Sequence, residues 1–455
     1  MLRVADQQIS LWDVVWPPEM MCLPDELARI DAYLDDERFV IPWRGMFDTR
    51  LGRPSVPVDT LLRLLYLKHR YQFGYETLCR EVADSITWRR FCRIPLEARV
   101  PHPTTLVKLV GRAGPEVCDQ LNRELVGKLA ADRLLRAGEL RIDSTVVEAD
   151  IDHPTDADLL DNGIGKLARL VRRIKATGAA LRTAFRDRSH AAGRRIKQIS
   201  RTLRRRTGQA LGEIDRLTSG IADIATHTVT EVDAVTRNAC RMLACRLSRR
   251  LHRLVTDLED TIAGTRRLLA QTAQRLAGNR IIPDRMVSLA DPDARPIRKG
   301  KPQYPTQFGY TTLLVEDDRG FIPFHQVNKG NPSDARQLIP AVENVITASG
   351  RTPATVVADR GFGTAANDKA LAELGVRNIG LQRNGTLSKT RREHERTRSF
   401  RRMRNWRIGV EARISHLKRG FGLRRTRMRR HEGARTWIGL GIFAYNLQRM
   451  TVISR

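Results

Sequence analysis

Residues 139–151 read "ELRIDSTVVEADI". Apolar and polar positions alternate from Leu140 to Asp143, and Thr145, Val146 and Val147 are β-branched, so the spacing predicts a strand. Asp143 lies near its start. The 455-residue chain is helically patterned up to this point, so the segments beyond the strand decide the fold.

Residues 161–280 return to a helical period. Leu167, Leu170, Val171 and Ile174 recur at that spacing, as do Leu247, Leu251, Leu254, Val255, Leu258 and Ile262. The opposite faces are rich in arginine, as in "GRRIKQISRTLRRR" (193–206), and no proline interrupts 155–282. Long antiparallel helices, as in a coiled-coil hairpin, would bury such seams. Beyond Pro283 the pattern is mixed. "FGYTTLLVED" (308–317) and "FIPFHQVN" (321–328) flank a "DRG" turn and predict a hairpin. "PSDARQLIPAVENVITAS" (332–349) predicts a capped helix, and "PATVVADRGFG" (353–363) a buried strand ending in Asp359. A helix over 365–375, a strand over 376–382, an arginine-dense loop over 384–405, a helix bearing Glu411 and an apolar helix over 434–450 complete the chain.

With the helical insertion set aside, the order is βββαβαβα, that of the RNase H fold. The predicted class is α/β, a mixed-sheet catalytic domain interrupted by a long helical insertion and preceded by an all-α domain. The expected bounds are 1–135 for the N-terminal domain, 136–160 and 286–455 for the two parts of the catalytic domain, and 161–285 for the insertion.

Residues 1–135 carry a broad apolar face at Leu61, Leu62, Leu64, Leu65 and Leu67. Short helices come next, with Thr104 or Thr105 as the N-cap of one that ends near Gly114. Exposed arginines at Arg80, Arg89 and Arg90 suit a helix-turn-helix-like unit, and a plain helical bundle reads equally from these residues. In the first of these, Thr104, Thr105 and Lys108 sit where a recognition helix would begin.

Eighty Lys and Arg against 51 Asp and Glu give a net charge of +29. Such an excess repels itself unless a polyanion is bound, and arginine forks match phosphates. A nucleic acid is the expected partner. No window is apolar enough to span a membrane. The start "MLRVADQQISLWDVVW" lacks the pattern of a signal peptide. The six cysteines form neither a CxxC pair nor a zinc pattern, which suits reduced thiols in a cytosol. A cytoplasmic protein is expected.

On an RNase H fold, the end of the first strand, the end of the fourth strand and the last helix converge on one edge. Asp143, Asp359 and Glu411 fall at those places. Three carboxylates together repel one another unless divalent cations neutralise them. Two Mg²⁺ ions, with Mn²⁺ able to substitute, would also activate a water or 3′-hydroxyl and clamp a scissile phosphate. Each acid has a second reading. Asp143 shares its segment with Glu148, Asp150 and Asp152; Asp359 could start a turn; Glu411 could pair with Arg407 or Arg404.

The sequence resembles the DDE transposases of bacterial insertion sequences. "RIDSTVV" is similar to that family's first-aspartate strand, and "VVADRGFG" to its second-aspartate motif, in which Arg360 comes directly after the acid. Arg407, Glu411 and Lys418 match the Arg, Glu and Lys of its Tyr-x2-Arg-x3-Glu-x6-Lys signature. Position 404 is arginine where the signature has tyrosine, with Trp406 nearby. At 100° per residue the three matched positions lie within about 40° of one helix face. The resemblance implies that Asp143, Asp359 and Glu411 bind metal. It places Arg407, Lys418 and Arg360 on double-stranded DNA. It also implies binding of terminal inverted repeats, cleavage of the element ends and their joining to target DNA, by a homodimer or larger assembly. The insertion lies where the best-known members have none, and Arg204, Arg205 and Arg206 in it are expected to touch DNA backbone. A nuclease or resolvase that cuts without joining, and a DNA-binding protein that has lost its chemistry, are the alternatives.

Overall fold

The computed structural model describes residues 17–454 apart from positions 18, 20–21, 48–53, 206, 246–247, 280 and 299–305. The N-terminal segment read against a signal peptide, Leu247 and Arg206 lie outside those residues. The structure is mixed α/β, with a mixed sheet and many helices. It divides into two compact units, residues 1–150 with 309–455, and residues 151–308.

The sheet of the first unit uses β1 (Glu139–Glu148), β2 (Gln307–Asp317), β3 (Phe324–Lys329), β4 (Thr355–Ala358) and β5 (Asn378–Leu381). They lie in the order β3-β2-β1-β4-β5. The first three pair antiparallel, and β1, β4 and β5 pair parallel. β4 is buried at all its positions, as expected of a parallel strand covered on both faces. Asp143 stands opposite Leu314 of β2, and Ile142 pairs with Ala358 of β4.

The terminal helix Arg430–Ile453 is buried along most of its length, from Ala434 to Leu447. A helix apolar on all sides needs partners all round. It packs on helix Pro103–Ala131, on helix Val58–Arg70 and on β3. Asn122 donates to the Gly439 carbonyl at 3.0 Å, and Asn446 clasps the backbone of Ile322 at 2.9 and 3.0 Å. This shared core puts the helices of 25–131 in one unit with the sheet. The leucines at 61, 62, 64, 65 and 67 are buried as their spacing predicts. Arg63 among them is buried too, 2.6 Å from Asp31.

Three local readings change. Helix Pro103–Ala131 starts before both threonines, and its N-cap is His102, whose ring accepts from the Thr104 amide at 3.3 Å. It breaks at Gly114, φ 67°, with Pro115 resuming. The supposed loop over 384–405 is largely helical, as helix Lys389–Arg396 and the start of helix Arg398–Gly420. Ser388 and Thr397 cap the two, and Arg391 pairs with Glu395 at 3.0 Å one turn on. Arginine is a good helix former, and dense positive charge had hidden the caps. Arg89, expected at the surface for DNA, instead donates to the carbonyls of Ala83, Pro95 and Ala98 at 3.1, 2.9 and 3.0 Å.

The second unit holds helices Asp156–Lys175, Ser189–Thr202, Gly208–Cys245 and Arg249–Leu276. The seam Leu167, Leu170, Val171, Ile174 and the seam Leu251, Leu254, Val255, Leu258, Ile262 meet in one core with Val229, Val232 and Val235. The insertion is therefore a helical bundle rather than a two-helix hairpin. No helix among the described residues is long and apolar enough to cross a membrane.

Candidate active site

β1 and β4 bring two acids to neighbouring places. Ile142 and Ala358 are in parallel register, so Asp143 and Asp359 are each the next residue on adjacent strands. Asp359 follows the end of β4, whereas Asp143 lies within β1 rather than at its end, because β1 runs on to Glu148 against β2. Asp359 precedes a short 3₁₀ turn, Arg360–Phe362, but its carboxylate makes no capping hydrogen bond. It is exposed. Asp143 is 18% exposed at its side chain, and its Oδ1 accepts from the Ser144 amide at 2.7 Å.

The third acid arrives on helix Arg398–Gly420. Arg407 lies 3.7 Å from Asp143 Oδ2 and 3.7 Å from Glu411 Oε1, so one guanidinium sits between the strand acid and the helix acid. Both separations exceed hydrogen-bonding distance, and Glu411 is 64% exposed, so the clasp is loose. Among the described residues, no group of three or more His, Cys, Asp or Glu side chains converges closely enough to hold a metal ion. The donor set itself is chemically suited to a hard divalent cation, since it offers only carboxylate oxygens. Arg407 is a positive charge lying between two of these acids, Asp143 and Glu411.

Glu148, at the end of β1, and Asp150 just beyond it are engaged elsewhere. Arg425 lies 3.6 Å from Glu148 and 3.5 Å from Asp150, and Arg427 lies 3.6 Å from Asp150. Of the cations picked out in sequence, Arg360 is exposed beside Asp359 and Lys418 is half-buried two turns past Glu411. Thr104, Thr105 and Lys108 are exposed together on the first turns of their helix. Arg204 and Arg205 are exposed in the second unit, Arg205 3.4 Å from Glu213.

What seats the helix was not visible in sequence. Glu316 on β2 is fully buried. It accepts from Arg141 of β1 at 2.7 and 2.8 Å and from Arg413 of the helix at 2.7 Å. Arg141 also donates to the Trp406 carbonyl at 3.1 Å and lies over the Trp406 ring at 5.2 Å. Trp406 thus packs on a structural arginine, and Arg404, at the signature's tyrosine position, is exposed.

Gly409 leaves room for that arginine, because a Cβ there would meet the Arg141 guanidinium. Alanine gains about 1 kcal/mol in helix propensity, while overpacking costs about 1–3 kcal/mol. Gly409→Ala should therefore lower the denaturant midpoint. A raised midpoint would mean that Arg141 yields freely.

Two family models match the chain. One described as "Transposase DDE domain" covers residues 280–447, and one described as "Transposase domain (DUF772)" covers residues 19–112. An uncharacterised protein of Rhizobium meliloti, ORF8 in the nfe locus, is 27% identical over 179 residues, which are 34% of this chain and 83% of that protein. No solved structure matches.

Proposed function

The chain belongs to the insertion-sequence DDE transposases, and from that membership we propose that it binds the terminal inverted repeats of its element, cuts the DNA ends and joins them to target DNA. The observation that carries the reading is Arg407, within 3.7 Å of Asp143 and of Glu411, next to the strand end that bears Asp359. That contact, with the parallel register that sets β1 beside the strand preceding Asp359, supports a shared site for the three acids. The order of strands and helices supports an RNase-H-like catalytic domain interrupted after β1 by the bundle.

Asp143, Asp359 and Glu411 would hold two Mg²⁺ ions, or Mn²⁺, which when bound supply charge neutralisation at the phosphate and an acidified water or 3′-hydroxyl. The chain's own part is positioning. β1 and β4 fix two carboxylates on a buried sheet. The helix presents Glu411 with Arg407 and Lys418 on nearly the same face, so phosphate-binding charge stands beside the acids. Arg360 adds a cation after the second acid. Each reaction exchanges one phosphodiester oxygen for another, with no covalent protein–DNA intermediate. Cutting two ends requires at least a dimer on DNA. The helices of 1–135, with Thr104, Thr105 and Lys108, are proposed to read the end sequence. The assay that tests the function is metal-dependent cleavage and strand joining of DNA carrying the element's ends. Cleavage without joining would leave a nuclease.

The second unit is proposed to touch DNA backbone. Reversing charge at Arg204, Arg205 and Arg206 should weaken DNA binding at low salt and flatten its salt dependence, by up to about three phosphate contacts. A salt series that superimposes on the parent's would reduce the run to a solvated face.

A further inference from the structure

Away from the acids, the first unit contains a cavity of about 810 Å³ lined by Lys68, Tyr75 and Trp437 and by Arg424, Arg425 and Arg427. None of the described residues lining it is acidic. Lys68 is only 3% exposed. Its Nζ lies 4.0 Å from the Trp437 ring centroid and 4.8 Å from that of Tyr75. A buried ammonium is costly without a counter-charge, and two aromatic faces offset only part of that cost. Here the neighbouring charge is another cation. Burial first, and Arg427 second, pull the Lys68 pKa down to about 7.

We propose that this cavity is a phosphate site for the backbone of bound DNA, in which Lys68 meets the phosphate from the buried side and Arg424 and Arg427 meet it from the exposed rim. The proposal rests on the DNA-transposase reading. Lining chemistry supports it: Lys68, Arg424, Arg425 and Arg427 line the cavity, with no acid among the described lining residues. Arg425 and Arg427 also lie 3.5–3.6 Å from Glu148 or Asp150 outside it, but Lys68 inside it faces only aromatic rings and cations. Placement supports it too. The rim is fastened to the far end of β1, where Thr426 N donates to the Glu148 carbonyl at 2.8 Å and Glu148 N donates to the Arg424 carbonyl at 3.2 Å. Asp143 lies on the same strand, about 17 Å back at ~3.3 Å per residue. On one strand of a duplex, ~3.4 Å per phosphate makes that about five phosphates. A duplex cut at Asp143 is long enough to reach the cavity.

The test uses the full chain and a duplex oligonucleotide of arbitrary sequence, titrated over a salt series. Lys68→Met keeps the apolar contact with both rings. It should bind about tenfold more weakly at moderate salt, with a salt slope smaller by about one. Arg424→Gln, at an exposed position, should shift binding in the same direction and guards against a folding defect in the first variant. A second readout tracks protons. A phosphate beside Lys68 favours its charged form, so binding just above neutral pH should take up a proton, seen as buffer-dependent heat, and Lys68→Met should abolish that uptake. The groups around it do not compete. Burial holds the His69 pKa well below its usual value and raises that of Tyr75. Parent-like affinity and slope in both variants would overturn the proposal, as would inorganic phosphate that binds the parent as tightly as the duplex. Asp143→Asn in the same assays separates the two readings. If it loses cleavage while the cavity variants bind like the parent, the transposase stands and the cavity site falls. A parent that binds no duplex would sink both.

Discussion

Asp143→Asn should give a folded protein that binds DNA as the parent does and cuts it on the order of a thousandfold more slowly, or not at all. Asparagine keeps the size of the side chain and an oxygen that can accept from the Ser144 amide, as Oδ1 does at 2.7 Å. The strand is therefore undisturbed. What disappears is the negative charge that a divalent cation needs and that now faces Arg407 at 3.7 Å. That separation is too long for a hydrogen bond, so little stability goes with it. The measurements are cleavage of end-containing DNA in Mg²⁺ and binding of the same DNA without metal. Binding that fell as far as cleavage would make Asp143 a structural acid.

Much of the sheet was legible because its strands announce themselves. Alternation gave β1, a turn between β-branched runs gave β2 and β3, and a short apolar run before Asp359 gave β4. The candidate acids drew attention for a related reason: Asp359 follows a short apolar strand and Glu411 stands amid opposite charge, where a carboxylate needs an explanation, while Asp143 lies within a strand. What escaped depends on register and packing. Arg141 and Glu316 are opposite one another in the β1–β2 pair, and nothing in either segment states that register. Lys68 sits in a leucine-rich helix that reads as having a polar outer face, yet Trp437, from the other end of the chain, covers it. The helices near residue 390 were missed because arginine density suggested an open loop, while Ser388 and Thr397 supply ordinary caps.

Glu316→Gln should be the most destabilising of the changes considered. The carboxylate is fully buried and serves two guanidiniums, Arg141 through two contacts at 2.7 and 2.8 Å and Arg413 through one at 2.7 Å. Their side chains are 13% and 18% exposed, so water replaces little of what the carboxylate supplies. Removing one member of a buried ionic cluster costs about 3–5 kcal/mol, because the remaining charges are left uncompensated. Here two like charges would face each other across the seam between sheet and helix. The denaturant midpoint reports the loss. A double variant with Arg413→Met should recover part of it, since one of the two stranded cations is then gone. Catalysis should fail as well, although Glu316 touches no DNA. Arg141 fixes the helix backbone at Trp406 and Arg413 fixes it beyond Glu411, so the acid stands between two anchors of the same cluster. A Glu316→Gln protein with the parent's midpoint and cleavage rate would mean that apolar packing alone seats the helix. In that case the position of Glu411 would owe nothing to the buried charges beneath it.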